Sequence, residues 1–229
     1  MTTDGNVGNT DANEPFNVII VGAGAAGIGA AIAVQHTGLG NYIVVDRDTV
    51  GSSFASWPAE TRFITPSFPS NSIGMLDLNS IGIGISPAFN MRIEHPTGQE
   101  FASHLQSLVD FLELPIRENT NIESIEKHDD LFHLKTATET LISKNVIWAA
   151  GEYQYPSLGQ FSGAELCDHT SNISRYGDLE GDDFLIIGGY ESGIDAAYHL
   201  SKNDKKVRVF DMNCPWSEES SDPSIALST

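Results

Sequence analysis

The chain has 229 residues, enough for one large domain or two small ones. Its 12 Lys and Arg against 31 Asp and Glu give a net charge of −19, which disfavours binding to nucleic acid or to an anionic membrane. Cys167 and Cys214 form no CxxC pair, which argues against a zinc site or a disulfide scaffold and favours a reducing cytoplasm. Residues 1–14 are rich in Asn, Asp, Gly and Thr, and are predicted to be a disordered tail.

The strongest signal in the chain is a glycine motif near the N-terminus. An apolar stretch at 18–21 predicts a buried strand, GAGAAG at 22–27 predicts a tight turn, and the alanine-rich stretch from 25 to about 35 predicts a helix. Asp46 follows 19 residues after Gly27, at the end of a second apolar stretch, YIVVD. Strand, glycine turn, helix and acid in this order predict a dinucleotide-binding unit.

Each residue of this motif has a distinct predicted role. Gly22 permits the turn, Gly24 lets the backbone approach a pyrophosphate, and Gly27 lets the helix pack closely on the strand. Ala25 and Ala26 open the helix, where free N–H groups and roughly half a positive charge of the helix dipole favour a diphosphate.

The residues that follow the second apolar stretch extend the predicted site. Asp46 is expected to accept hydrogen bonds from an adenosine ribose, with a helix or turn cap as the alternative. Arg47 either stacks on adenine or is a solvated surface residue. Residues 50–87 are rich in Gly, Ser and Pro but keep aromatic side chains, which predicts an ordered coil against a ligand. Within it, Ser53 could reach a phosphate or ribose, and Trp57 is either a cofactor contact, which the resemblance given below makes a flavin contact, or a core residue.

The middle of the chain predicts one helix and three strands. Apolar residues recur at helical spacing in GQEFASHLQSLVDFLEL at 98–114, which predicts an amphipathic helix. Three stretches with turn residues between them, at 118–129, 130–138 and 139–151, predict three short strands.

The opening pattern returns from Asp183 onward. The sequence FLIIGGYESGIDAAYHLSKNDKKVRVFD predicts strand, glycine turn, helix, strand and acid once more. Gly193 corresponds to Gly27, and Asp211 lies 18 residues beyond Gly193. Tyr190 stands where the first motif has its middle glycine. The repeat predicts a second dinucleotide-binding unit.

The second motif supplies a second set of candidate ligands. Ser192 and Gly193 open the second helix and, with Gly188 and Gly189, are predicted to bind a pyrophosphate. Glu191 is the weakest candidate, because a carboxylate beside a diphosphate is repulsive unless it points away.

Asp211 bears on the choice of nucleotide. A carboxylate at the end of the second strand accepts a hydrogen bond from a ribose 2′-OH and repels a 2′-phosphate, which favours NADH. Lys205, Lys206 and Arg208 are close in sequence and could reverse this preference.

Two nucleotide units with a three-stranded insert between them resemble the flavoproteins with two dinucleotide-binding domains. VGSSFASWP at 50–58 and FSGAELCDHTSNISRY at 161–176 are similar to segments of flavin-dependent monooxygenases, above all the bacterial flavin-containing ones. The resemblance implies an α/β fold: a Rossmann-like FAD-binding domain with a three-stranded β insert at 15–155, and a partial second Rossmann-like NAD(P)-binding domain at 156–229.

The resemblance also implies further cofactor contacts. WAAG at 148–151 is similar to the segment that returns the chain beneath the flavin domain, so Ala150 and Gly151 are implied contacts. Ile122 matches the position at which this family touches adenine through backbone groups.

The implied activity is that of an FAD-dependent oxidoreductase that passes hydride from NAD(P)H to flavin, monooxygenase-like on a small-molecule substrate. The alternatives are a flavin-dependent reductase of bacillithiol-type disulfides and a truncated, non-catalytic nucleotide-binding remnant. Truncation is expected because the family's second domain continues past the point where this sequence stops. The resemblance allows a homodimer. No residue is marked as a catalytic acid, base or nucleophile, and the histidines have no metal-ligand spacing.

Overall fold

The computed structural model describes residues 14–67, 77, 79–82, 84–159 and 161–213. The predicted disordered tail, apart from Glu14, lies outside the described residues, as does Cys214. The chain divides into two compact units. The first unit comprises the described residues up to Ser52 together with Leu105–Gly151, and the second comprises Ser53–His104 together with the described residues from Glu152 onward.

In chain order the elements are β1 (Val18–Val21), α1 (Ala25–His36), β2 (Tyr42–Val45), α2 (Ser52–Ala55), α3 (Pro87–Met91), α4 (Gly98–Leu112), β3 (Ile116–Arg117), β4 (Ser124–His128), β5 (Leu131–Lys135), β6 (Thr140–Ser143), β7 (Val146–Trp148), β8 (Asp183–Ile187), α5 (Glu191–Lys202) and β9 (Lys206–Phe210). The predicted helix at 98–114 is confirmed as α4.

A four-stranded parallel sheet forms the centre of the first unit. Its strand order is β3-β2-β1-β7, so β1 has a neighbour on each side. All four residues of β1 are buried, as expected for an apolar strand inside a parallel sheet with both faces covered. The predicted buried strand and the alanine-rich helix after it, α1, are both confirmed.

The three-stranded insert is a separate antiparallel sheet with the order β4-β5-β6. The predicted third strand at 139–151 is wrong in one respect, because it is two strands in two different sheets. β6 pairs with β5, whereas β7 pairs in parallel with β1. Between them the Ser143 hydroxyl donates to the Asn145 carbonyl oxygen at 2.6 Å, which fixes the bend where the chain changes sheet.

One apolar cluster joins the two sheets of the first unit. It contains Ile19, Val21 and Val45 from the parallel sheet with Leu134 and Leu141 from the insert. The insert therefore packs on the sheet that carries the first glycine motif and contributes to its stability.

The second unit repeats the strand–turn–helix–strand pattern on a smaller sheet. β8 and β9 are parallel, and α5 packs on one face through a cluster built on Tyr176, Ala196 and Leu200. The other face carries Leu185 and Phe210, which are 55% and 57% exposed. The predicted second unit is confirmed, with an apolar face open to solvent.

The coil at 50–87 is ordered where it is described. Four aromatic rings, those of Phe54, Trp57, Phe63 and Phe101, pack with centroid distances of 4.6 to 5.8 Å. Within the described parts of the chain, none of the helices has both the length and the apolar character that a membrane crossing requires.

Candidate dinucleotide-binding sites

The first glycine loop (residues 22–27) connects β1 to α1, and two of its glycines are required by the loop itself. Gly22 has a φ of 111°, a conformation that L side chains rarely adopt, and a Cβ there would overlap the Ala149 carbonyl oxygen. A Cβ on Gly27 would overlap the Gly22 carbonyl oxygen. The Gly22 amide donates to the Val45 carbonyl oxygen at 2.8 Å, which ties the loop to β2.

Gly24 differs from these two glycines. Its φ of −82° suits any residue, and a Cβ built on it would meet no described atom within 4 Å. Gly24 is the N-cap of α1, and the first helical hydrogen bond runs from the Ile28 amide to the Gly24 carbonyl oxygen at 2.9 Å. The first turn of α1 contains no acidic residue. No contact or dihedral angle of the chain requires glycine at this position, and the missing side chain leaves the helix N-terminus open to an anion.

Asp46 braces the first loop from the end of β2. Its Oδ2 accepts from the Ala23 amide at 2.6 Å, and its Oδ1 accepts from the Asp48 amide at 2.8 Å. Arg47 forms a surface ion pair with Asp48 at 3.1 Å. The turn-cap alternative for Asp46 is therefore what the structure shows, and the ribose contact of Asp46 and the adenine contact of Arg47 stay predictions.

The second glycine loop (residues 188–193) repeats this geometry. Gly188 has a φ of 102°, and its amide donates to the Phe210 carbonyl oxygen at 2.8 Å. The Gly189 amide donates to Asp211 Oδ2 at 2.7 Å, just as the Ala23 amide does to Asp46. A Cβ on Gly193 would overlap the Gly188 carbonyl oxygen. The sequence repeat is therefore also a repeat of backbone geometry and of hydrogen bonds.

The two loops differ in what surrounds the helix N-terminus. Tyr190 is the N-cap of α5, with nearly the same backbone conformation as Gly24, and the residue is 48% exposed. Glu191 stands in the first turn of α5, and Ser192 follows it. The second loop thus has an aromatic ring and a carboxylate where the first has neither.

Three of the remaining candidates belong to the first unit. Ala150 and Gly151 follow β7 beside the first loop, where a Cβ on Gly22 would come 3.0 Å from the Ala150 Cα. Ile122 is partly buried against the apolar cluster of the first unit. The structure therefore brings Ala150 next to the glycine loop, and the cofactor contacts of all three stay predictions.

Ser53 and Trp57 belong to the second unit. Ser53 lies in the short helix α2, and its carbonyl oxygen accepts from the Ser56 hydroxyl at 2.9 Å. The partly buried Trp57 ring packs at 5.3 Å from both Phe54 and Phe63. The flavin contact of Trp57 and the phosphate or ribose contact of Ser53 stay predictions.

Sequence reasoning missed a polar cluster on α5. The Thr61 hydroxyl donates to Asp195 Oδ2 at 2.7 Å, and His199 Nε2 lies 3.3 Å from Asp195 Oδ1. The Tyr176 ring stacks on His199, and burial, followed by the nearby Asp195, raises the pKa of Tyr176 to about 12. No local signal reveals this cluster, because its members come from three distant segments.

Two glycine loops have matching geometry, and each connects a strand of a parallel sheet to the helix that follows it. This arrangement defines a protein with two dinucleotide-binding units. The chain belongs to the pyridine nucleotide-disulphide oxidoreductase family, which matches residues 19–229. This confirms the predicted relationship to flavin-dependent oxidoreductases. Family membership indicates FAD and NAD(P)H as the cofactors.

Curated relatives are longer than this chain. The uncharacterized oxidoreductase CzcO of Bacillus velezensis is 27% identical over 194 residues, which cover 82% of this chain and 52% of the relative. The F subunit of alkyl hydroperoxide reductase of Staphylococcus aureus is 28% identical over 205 residues, which cover 86% of this chain and 34% of the relative. The chain thus spans about half the length of CzcO.

Solved structures share the fold. Bacillithiol disulfide reductase from Staphylococcus aureus superposes with a TM-score of 0.70 at 22% identity, covering 93% of this chain and 61% of its own. A flavin-containing monooxygenase from Stenotrophomonas maltophilia gives 0.69 at 16% identity, covering 93% and 66%. The predicted α/β architecture with a Rossmann-like first domain and a partial second one is confirmed.

Proposed function

We propose that this chain forms the nucleotide-binding part of an FAD-dependent oxidoreductase that takes hydride from NAD(P)H, with FAD held by the first glycine loop. The observation that carries the proposal is Gly24, a glycine that no contact or dihedral angle of the chain requires. Bound FAD supplies the redox chemistry, since its ring system accepts hydride from a nicotinamide.

The chain's own contribution at the first loop is to hold a diphosphate. The amides of Ala25, Ala26 and Gly27 precede the first helical hydrogen bond, so they point out of the helix N-terminus without an intrahelical acceptor. Asp46 holds the Ala23 amide and thereby fixes the loop before the ligand arrives. A preformed loop lowers the entropy cost of binding.

The second glycine loop is proposed to hold NAD(P)H, with NADH preferred. Asp211 lies after the end of β9, where a 2′-phosphate would meet a carboxylate. Lys206 and Arg208 pair with Asp183 at the start of β8, at 3.0 and 2.8 Å. Lys205 donates to the Gly181 carbonyl oxygen at 2.6 Å. The cations are thus engaged at the opposite end of the strands from Asp211, which supports the preference for NADH.

For the whole protein we propose monooxygenase-like turnover of a small-molecule substrate. The proposed location is the cytoplasm, and a homodimer stays a prediction. The second candidate is reduction of a low-molecular-weight disulfide of the bacillithiol type, which the match to the disulphide oxidoreductase family favours. Among the described residues the free cysteine is Cys167, so a reductase of this kind would act without a described dithiol pair. NADH oxidation that consumes oxygen and releases peroxide supports the first candidate, and strictly disulfide-dependent oxidation supports the second.

The decisive experiment compares two glycines at which an added Cβ would meet open space. Gly24→Val should reduce retained FAD to below about one tenth, because the isopropyl group occupies the path of the pyrophosphate. Gly40→Val should retain FAD at the wild-type level, since Gly40 has equal room but lies outside the loop. Flavin absorbance after gel filtration measures both, and circular dichroism checks that both variants fold.

Normal flavin content in Gly24→Val would refute the FAD site. A wild-type chain that takes up no FAD, even with excess cofactor, would favour the non-catalytic remnant instead.

A further inference from the structure

The two glycine loops allow a residue-by-residue comparison of what each offers a nucleotide. Gly22 corresponds to Gly188, and Gly27 corresponds to Gly193. A Cβ added to Gly27 would overlap the Gly22 carbonyl oxygen, and one added to Gly193 would overlap the Gly188 carbonyl oxygen. Gly24 corresponds to Tyr190, and the backbone angles agree: φ is −82° against −91°, and ψ is −170° against −163°. The Cβ of Tyr190 therefore leaves its backbone in the direction that is open space at Gly24.

We infer that Tyr190 sets the affinity of the second loop for NAD(P)H, because its side chain stands in the path by which the pyrophosphate approaches α5. This inference rests on the proposed function of the second loop. Tyr190 is the N-cap of α5, and the residue is 48% exposed. A nucleotide that binds there as FAD binds at the first loop must displace the ring or bind further from the helix end.

The residue after Tyr190 acts in the same direction. Glu191 occupies the position that Ala25 has in the first loop, in the first turn of α5. Its carboxylate stabilises the helix through the helix dipole, and it repels a diphosphate at the same place. The first loop has no acidic residue in its first turn. The bulk of Tyr190 and the charge of Glu191 thus both make the second loop the weaker diphosphate site.

This difference fits the use of two nucleotides by one oxidoreductase. A resident cofactor must stay through many turnovers, whereas a nucleotide that is oxidised in each cycle must leave. The open first loop favours retention, and Tyr190 favours release at the second. Since affinity differences between related complexes lie mostly in the dissociation rate, removing the ring should chiefly slow release.

The test uses the full chain loaded with FAD, reduces the flavin beforehand with dithionite so that it can accept no hydride, and measures NADH binding by calorimetry. Tyr190→Gly should lower the Kd for NADH about tenfold or more, while FAD content stays at the wild-type level. Tyr190→Phe keeps the ring and should bind NADH as the wild type does. Glu191→Gln should tighten NADH binding by a smaller factor. The reciprocal variant, Gly24→Tyr, should release FAD.

Three outcomes would overturn the inference. Unchanged NADH binding in Tyr190→Gly would show that the ring is not in the path, and weaker binding would show that the ring contributes contacts instead. If neither wild type nor Tyr190→Gly binds NADH, the proposed second site is wrong and the role of Tyr190 falls with it. The FAD measurement at Gly24 separates that failure from a failure of the first site.

Discussion

Each of the two β–α–β units of this molecule has a glycine loop of the same geometry, but the sheets that support the two loops differ. In the first, β1 lies between two neighbouring strands and is buried along its whole length. In the second, β8 pairs with β9 alone among the described strands, and its residues alternate between partly buried and exposed. The loop geometry is nonetheless repeated down to individual hydrogen bonds. Local residues therefore build the loop, whereas burial of the strand depends on distant parts of the chain.

The largest expected difference between the units concerns their first strands. Ile19 and Leu185 each lie three residues before the first glycine of their loop, but Ile19 is fully buried and Leu185 is 55% exposed. Ile19→Asp should cost more than about 4 kcal/mol of unfolding free energy, because it buries an unpaired carboxylate. Leu185→Asp should change it by about 0.5 kcal/mol or less. Urea unfolding followed by circular dichroism measures both, and a comparable loss in the two variants would show that the Leu185 face is covered in solution.

Substitution of the third glycine of each loop should lower the stability of the protein by a similar amount in the two units. Gly27→Ala and Gly193→Ala each push a methyl group onto a backbone carbonyl oxygen of their own loop. Each should destabilise the protein by about 2 to 3 kcal/mol, the upper part of the usual range for overpacking, because the contact is with backbone. Gly40→Ala, where a Cβ meets open space, serves as the control in thermal unfolding. If only one of the two loop variants is destabilised, the loops are not equivalent.

The acids at the ends of the second strands should have equal but smaller effects. Asp46→Ala and Asp211→Ala each remove a carboxylate that accepts from two backbone amides. A loss of about 2 kcal/mol is expected for each, because hydrogen bonds to charged groups are worth about 1.5 to 3 kcal/mol. Asp48→Ala, which loses a surface ion pair, should cost about 0.5 kcal/mol or less. An effect at Asp46 no larger than that at Asp48 would contradict the bracing role.

The buried cluster of the second unit contains a tyrosine, Tyr176, whereas the buried residues of the first unit's cluster are aliphatic. Only the second cluster should therefore lose stability at alkaline pH, and removing the Tyr176 hydroxyl should have the smallest effect of all at neutral pH. Burial, and then Asp195, Glu60 and Tyr153, raise the pKa of Tyr176 to about 12, against about 10 in the unfolded chain. The unfolded state therefore loses its proton first, and stability present below pH 10 is lost as the pH rises toward 12. Tyr176→Phe should remove this part of the alkaline destabilisation.

Unfolding free energies at pH 8 and pH 11 measure the effect, with absorbance near 295 nm to follow phenol ionisation. Tyr155→Phe, at a position that is 71% exposed, is the matched control and should keep the wild-type loss. An equal alkaline loss in Tyr176→Phe and wild type would remove Tyr176 as its source.

Sequence reasoning found what local pattern encodes. The glycine spacings, Asp46 and Asp211 predicted both loops, because turn, helix and acid are close together in the chain. It did not find that Leu185 is exposed while Ile19 is buried, since FLII at 184–187 is as apolar as VIIV at 18–21 and the difference lies in the neighbouring strands. It merged β6 and β7 because nothing in their composition marks a change of sheet. The contact of Thr61 with Asp195 joins segments more than a hundred residues apart, which no local pattern records.

The position of β7 has a consequence for how the protein is made. β1 is synthesised at residues 18–21, but its second neighbour arrives only at 146–148, followed by Ala149, against which Gly22 is packed. This pairing has a large sequence separation, which slows folding, whereas β8, α5 and β9 lie within 28 consecutive residues, 183–210. During translation the first loop therefore cannot reach its final packing until β7 and Ala149 have left the ribosome. We expect FAD to bind only after that point, so that nascent chains shorter than about 150 residues carry no flavin.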